Sequence, residues 1–124
     1  LTVTGVHFGG GTPTSLQPEK LEILIDYVQQ KFNTYGAPLH IEGSATTLPY
    51  ETIQMFKSKD VTRTSFGVQS FNPALRKKMG IGATLDDVLS TILRLQKNEM
   101  GIHIDLMYGL PLHTSCEFFP SIST

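Results

Sequence analysis

The alternation of strand-like and helix-like segments is the feature that most restricts the fold of this 124-residue chain. Four apolar, β-branched runs are separated by segments whose apolar residues recur at helical spacing. The runs predicted as strands cover residues 1–8, 38–42, 61–69 and 102–109. Such an alternation is typical of βαβ units with parallel strands and right-handed crossovers. We therefore predict an α/β fold with a parallel sheet, either doubly wound or a slice of a barrel.

The segments between these runs carry helix start signals. Pro18 suits the first position of one helix, and Pro49 opens a second, shorter one. Thr84, followed three positions later by Asp87, has the pattern of a capping box at the start of another. Two apolar stripes are expected in the core: Leu21, Leu24, Ile25, Val28 and Phe32 in the first helix, and Leu85, Val88, Leu89, Ile92 and Leu95 in the last.

Length and composition exclude several classes of protein. The length allows one domain or part of a larger one, which we assign to residues 1–111. Residues 112–124 lack a clear period and are predicted to be a tail, disordered or foreign to the fold. A formal net charge of -1 with scattered basic residues argues against nucleic acid or a membrane surface as partner. The only cysteine, Cys116, provides no disulfide or metal ligand set, which fits a reducing cytoplasm.

Polar groups and glycines collect where the predicted strands end. Ligands of parallel α/β folds bind at this edge of the sheet. In chain order the residues there are Gly9, Gly10, Gly11, Thr12, Glu42, Gln69, Ser70, Asp105 and Tyr108. Carboxylates and backbone carbonyls are acceptors, so the set favours a ligand rich in donors, such as an ammonium group and ribose hydroxyls. The glycine run fits neither the G-x-G-x-x-G pattern nor a Walker loop.

Each candidate also has a structural interpretation. The glycine run could be only a tight turn from strand to helix. Glu42 and Asp105 could cap a helix or pair with Arg63, and Gln69 could be a solvated loop residue. The histidines lack an i, i+4 pair and a nearby cysteine, so we expect structural roles and no metal ligation for His7, His40, His103 and His113.

Three strings occur in an order and spacing that resemble one enzyme family. They are GGGTPTSL at 9–16, RTSFGVQSFN at 63–72 and DLMYGLP at 105–111. The chain resembles the radical S-adenosylmethionine enzymes of the oxygen-independent coproporphyrinogen III oxidase family, over about residues 3–114. The resemblance implies a partial TIM-like (β/α) barrel of about four strands. It also implies an enzyme that acts on a tetrapyrrole, porphyrin or heme, with an electron donor that the sequence does not identify.

The resemblance also implies roles for individual residues. The backbone of Gly9, Gly10, Gly11, Thr12 and Pro13 would accept the amino group of S-adenosylmethionine. Glu42 would contact the methionyl part of this cofactor, and Gln69 and Asp105 its ribose. In the family a Cys-x-x-x-Cys-x-x-Cys segment binds a [4Fe-4S] cluster. This sequence contains no such segment, so the cluster belongs to the full-length protein only, and the isolated chain is expected to be inactive.

Two departures from the family pattern leave alternatives open. Ile81 stands where the family has an arginine for the cofactor carboxylate, a role that Arg76, Lys77 or Lys78 could take over. Glu42 is followed by an unusual Gly-Ser-Ala. These changes favour a divergent branch, first the heme-utilisation enzymes that open heme anaerobically. The alternatives are a heme chaperone of the same family, which binds heme without catalysis, and an unrelated α/β nucleotide-binding domain.

Overall fold

The computed structural model describes residues 2–107, which form a single parallel sheet covered by helices. Its strands are β1 (Val6–Phe8), β2 (Leu39–Gly43), β3 (Arg63–Gln69) and β4 (Gly101–Leu106). They pair in the order β1-β2-β3-β4, and every pair is parallel. A doubly wound sheet reverses its strand order at a switch point, and this sheet does not. The prediction of a barrel slice is therefore confirmed.

The first strand is shorter than predicted, because only three residues of 1–8 pair with β2. The last strand ends at Leu106, three residues before its predicted end. Tyr108 and the tail predicted for 112–124 lie outside the described residues.

Four helices and one short 3-10 helix connect the strands. The 3-10 helix is Pro13–Ser15, and the α-helices are α1 (Pro18–Phe32), α2 (Tyr50–Ser58), α3 (Pro73–Lys78) and α4 (Leu85–Lys97). The predicted capping box is confirmed, since Thr84 Oγ1 accepts from the Asp87 N–H at 3.1 Å and Asp87 Oδ2 accepts from the Thr84 N–H at 2.9 Å. The short helix α3 was not predicted. It begins where the Asn72 side chain accepts two backbone N–H groups.

The core lies between the helices and one face of the sheet. Its most deeply buried apolar side chains are Leu21, Ile25, Ile41, Leu48, Ile53, Phe56, Phe66, Val68, Val88 and Leu95. The predicted stripes were too wide, because Leu24, Phe32 and Leu89 are exposed. Leu24 and Leu89 are each next in sequence to a buried residue. Consecutive residues of an α-helix are about 100° apart, so both leucines lie at the border of the buried face. Phe32 ends α1, beyond the part of the helix that covers the sheet.

The opposite face of the sheet is polar. Ile41, Phe66 and Val68 point to the helices, so the residues that alternate with them point the other way, which is the inside of a barrel. That inner face carries His7, His40, Glu42, Arg63, Ser65, His103 and Asp105. The titratable groups of the sheet are thus collected on one face.

Candidate functional site

The sheet order brings the predicted site residues to one edge. Because neighbouring strands are also consecutive in the chain, their carboxyl ends present the glycine turn, Glu42, Gln69 and Asp105 in that order. Glu42 on β2 and Asp105 on β4 are separated by β3, which spaces their strands by about 10 Å. We call this set, from Gly9–Pro13 to Asp105, the strand-end arc.

The three glycines of the arc have different reasons to be glycine. A Cβ on Gly9 would lie 2.9 Å from His7 Nε2 and 3.3 Å from Glu42 Cδ, so the protein's own side chains fill that space. Gly10 and Gly11 have φ angles of 80° and 57°, which other residues adopt only with strain. A Cβ on either would meet nothing within 4 Å. Side chains therefore fill the space beside Gly9, whereas the space beside Gly10 and Gly11 is free.

The two residues after the glycines shape the turn. The Thr12 carbonyl accepts hydrogen bonds from the Ser15 N–H at 2.9 Å and from its hydroxyl at 2.6 Å. The Pro13 carbonyl accepts from the Leu16 N–H at 3.2 Å. Cofactor contact by Thr12 and Pro13 stays a prediction, and their observed hydrogen bonds close the 3-10 helix that follows the glycine turn.

A half-buried cluster of hydroxyl groups connects this turn to the end of β2. Thr14 is buried, and its hydroxyl is hydrogen-bonded to that of Thr47. Thr47 Oγ1 in turn accepts from the Ser44 N–H at 2.9 Å. A Cβ on Gly43 would lie 2.8 Å from Thr14 Oγ1. The glycine after Glu42, which departs from the family pattern, therefore makes room for Thr14.

Glu42 is held by a histidine from the neighbouring strand. His7 Nε2 lies 3.0 Å from Glu42 Oε1, and because a carboxylate only accepts, this nitrogen donates its proton. The other ring nitrogen of His7, Nδ1, lies 3.1 Å from Nδ1 of His40. Pairing of Glu42 with Arg63 is not observed. Arg63 instead approaches His40, with 3.5 Å from Nη2 to Nδ1.

Asp105 also has a histidine partner. His103 Nε2 donates to Asp105 Oδ1 over 3.1 Å, from two residues earlier on the same strand. The Asp105 side chain is 67% exposed, compared with 42% for Glu42. Pairing of Asp105 with Arg63 is likewise not observed. Asp105 is thus the more accessible of the two carboxylates.

Gln69 is the last residue of β3 and has a strained backbone. Its φ is 72°, next to an irregularity in the pairing with β4. A Cβ on Gly67 would lie 2.7 Å from Gln69 Nε2, so the amide folds back over Gly67. Gly67 is the register partner of Asp105. Gln69 therefore lies on a strand and not in a loop, and its amide lies toward the Asp105 end of the arc; its role as a binding residue stays a prediction.

Arg76 is not free to replace the missing arginine. Only 4% of its surface is exposed, and its guanidinium donates to the carbonyls of Val68, Ser70 and Ala83. Burial lowers the pKa of Arg76. The suggested rescue by Arg76 is wrong for a physical reason, because its donors hold the end of β3. Ile81 is half-buried in the connection between α3 and α4.

The sequence analysis did not predict that histidines lie beside the site residues. Positions two residues apart on a strand share a face, so His7 before Gly9 and His103 before Asp105 carried a signal. The contact between His7 and His40 depends on strand register, which the sequence does not reveal. Burial, followed by the charges of Arg63, His7 and His103, lowers the pKa of His40. Within residues 2–107 no group of His, Cys, Asp or Glu is arranged to hold a metal.

The fold and the strand-end arc define a (β/α) barrel-type protein with its polar site at the carboxyl ends of the strands. The chain matches the family described as the Radical SAM superfamily over residues 2–122. It belongs to that superfamily, and the alternative of an unrelated nucleotide-binding domain is set aside.

Curated relatives give more detail. The chain is 36% identical over 124 residues to heme chaperone HemW of Bacillus subtilis, covering 96% of this chain and 32% of that protein. It is 32% identical over 116 residues to oxygen-independent coproporphyrinogen III oxidase of Bradyrhizobium diazoefficiens, covering 92% of this chain and 26% of that protein. The chain thus spans about a quarter to a third of the length of these relatives.

A solved structure has the same fold. Coproporphyrinogen III oxidase (HemN) from Escherichia coli superposes with a TM-score of 0.87 at 24% identity, over 98% of this chain and 28% of that one. The predicted partial TIM-like barrel is confirmed by this match. Among residues 2–107, none of the helices is long and apolar enough to cross a bilayer.

Proposed function

We propose that this chain forms the S-adenosylmethionine-binding wall of a radical S-adenosylmethionine enzyme that acts on a porphyrin or heme. The observation that carries the proposal is the strand-end arc, in which an open glycine turn, two carboxylates and an amide follow one another along one sheet edge. We further propose that the protein works in the cytoplasm.

The chemistry of the arc fits this cofactor. Gly10 and Gly11 leave open space beside a backbone that exposes acceptors, which suits an ammonium group. Glu42, one strand away, would meet the methionyl part. Gln69 and Asp105 would meet the ribose at the other end, about 10 Å across the sheet, which is suitable for an extended molecule.

The residues of this chain bind and orient the cofactor. When bound, S-adenosylmethionine would supply its 5'-deoxyadenosyl group for radical chemistry or its methyl group for methyl transfer. The glycine turn and Glu42 would fix one end of it, and Gln69 and Asp105 the other. A [4Fe-4S] cluster does not fit this sequence, because its one cysteine cannot supply the thiolates such a cluster needs. We assign no step to that cluster in this chain.

The names of the relatives support a tetrapyrrole as substrate class. One relative is named for coproporphyrinogen III and another for heme. We therefore propose coproporphyrinogen III oxidase-like or heme-utilisation chemistry for the intact protein. The alternative, a heme chaperone without catalysis, is favoured by the 36% identity to such a protein and by Ile81 at the arginine position.

Calorimetric titration of S-adenosylmethionine into the chain tests the proposal. We expect a saturable heat that Glu42→Ala and Asp105→Ala each weaken about tenfold, since each removes a charge-assisted contact. Glu99→Ala is the matched control, because Glu99 is exposed in the turn before β4, at the opposite end of the sheet. A folded chain that gives no saturable heat, or equal weakening in all three variants, would contradict the proposal.

A further inference from the structure

We propose that His7 is a positioning residue that holds Glu42 in place for the cofactor, and that His40 fixes His7 from the other side. This inference rests on the proposed function, in which Glu42 contacts the methionyl part of S-adenosylmethionine. It assigns a role to a histidine that the sequence alone marked as structural.

Strand register builds the contact. His7 and His40 are direct partners on β1 and β2, and Glu42 lies two residues beyond His40, on the same face of the sheet. His7 can therefore reach His40 with one ring nitrogen, at 3.1 Å, and Glu42 with the other, at 3.0 Å. An imidazole bound at both nitrogens cannot turn without losing a hydrogen bond. The ring orientation of His7 is thereby fixed.

His40 lies on β2 between β1 and β3, and its ring packs against that of His7. Its ring stands edge-on to that of His7, with centroids 4.5 Å apart and an angle of 83° between the planes. Its Nε2 is buried and has no hydrogen-bond partner among the described residues, whereas Nδ1 faces His7. His40 therefore serves as a fixed support for the His7 ring.

Gly9 packs against both His7 and Glu42. Its missing side chain leaves just enough room, since a Cβ would approach both the His7 ring and the Glu42 carboxyl carbon. The first glycine of the turn, the histidine and the carboxylate thus pack as one unit. Because Glu42 Oε1 accepts the hydrogen bond from His7, Oε2 is left to accept from a donor in the open mouth.

Ring-nitrogen chemical shifts of the 15N-labelled chain test the contact directly. We expect His7 to carry a proton on Nε2, and Glu42→Gln to change the His7 ring shifts while leaving those of His103 unchanged. Asp105→Asn is the matched control and should do the reverse, because Asp105 pairs with His103. A His7 ring insensitive to Glu42→Gln would overturn the proposal.

Cofactor affinity tests the consequence. His7→Phe keeps a ring but cannot donate, so we expect the dissociation constant for S-adenosylmethionine to rise about tenfold. His7→Gln places an amide donor near the position of Nε2 and should keep the constant within about threefold. Equal affinities in both variants, whether weak or normal, would contradict a positioning role.

The two experiments separate this inference from the proposed function. The ring-nitrogen shifts can show the hydrogen bond between His7 and Glu42 while neither the chain nor its variants bind S-adenosylmethionine. In that case the proposed function fails, and the hydrogen bond stands. If the cofactor binds and Glu42→Ala weakens it while His7→Phe does not, the proposed function stands and the positioning role fails.

Discussion

Two pairs of a histidine and a carboxylate lie at opposite ends of the strand-end arc, and they arise in different ways. His103 and Asp105 are two residues apart on β4, so strand alternation alone puts them together. His7 and Glu42 are 35 residues apart and meet only because β1 and β2 pair in one register. Similar contacts, at 3.1 Å and 3.0 Å, therefore have a local origin in one case and a tertiary origin in the other.

The surroundings of the two pairs differ as well. Glu42 is half-buried, and its pair packs against Gly9 and His40. Asp105 and His103 are mostly exposed on the last strand of the described sheet. The comparison teaches that the first pair is tied to the fold by strand pairing and by Gly9, whereas the second depends on one strand and is the more exposed. We expect substitutions at the first pair to cost more stability.

The largest effect is expected at β3, the strand that separates the two pairs. Arg76→Met would leave two carbonyls at the end of β3 and one before α4 without their donor, so we expect a loss of about 3 kcal/mol or more in the free energy of unfolding. Urea unfolding followed by circular dichroism measures this loss. Lys77→Met, at an exposed neighbour on the same helix, should stay within about 0.5 kcal/mol. Similar losses in both variants would refute the structural role of Arg76.

Gly9→Ala breaks the packing of the first pair directly. The added Cβ meets His7 and Glu42 at less than van der Waals distance, so we expect about 1–3 kcal/mol of destabilisation. Gly82→Ala is the control, since its Cβ would meet nothing within 4 Å and its φ is not positive. Thermal unfolding of both variants checks the difference. No extra loss in Gly9→Ala would mean that the pair does not need this space.

Acid should destabilise the fold through His40, which packs against the first pair. The pKa of His40 is lowered from 6.5 by burial and nearby positive charge. The unfolded chain therefore takes up this proton first, so the contribution of neutral His40 is present above pH 6.5 and lost as the pH falls below it. In His40→Gln we expect a smaller fall in the unfolding free energy between about pH 7.5 and about pH 5.5. A slope identical to that of the parent chain would contradict this origin.

The smallest effect is expected at the second pair. His103→Ala removes one partner of an exposed contact and should change stability by less than about 0.5 kcal/mol. His7→Ala, its matched change at the first pair, should cost about 1 kcal/mol, because two hydrogen bonds are lost. Urea unfolding of the two variants compares them. A larger loss in His103→Ala would reverse the order that the structure implies.

Much of the fold could be predicted because its signals are local. The capping box at Thr84 and Asp87 and the alternation of strands and helices depend on neighbouring residues, and they were confirmed. The residues of the arc could be selected because strand ends in parallel folds share an edge. Their cofactor roles stay predictions.

The parts that could not be predicted depend on contacts between distant segments. Gly43 at the end of β2 faces Thr14 in the 3-10 helix, 29 residues earlier, which no local pattern reveals. Leu24 and Leu89 are exposed because the sheet covers a narrower face of each helix than the apolar pattern suggests. Strand register, which joins His7 to Glu42, is likewise a property of the assembled sheet.

Backbone amide shifts during a titration with S-adenosylmethionine test the strand-end arc most directly, because they report every described residue at once. We predict that saturable shift changes centre on Gly10, Gly11, Glu42 and Gln69. Changes centred on the opposite end of the sheet, in the hollow lined by Gly5, Pro38, Thr62 and Gly101, would contradict the account. The absence of any saturable change would contradict it as well.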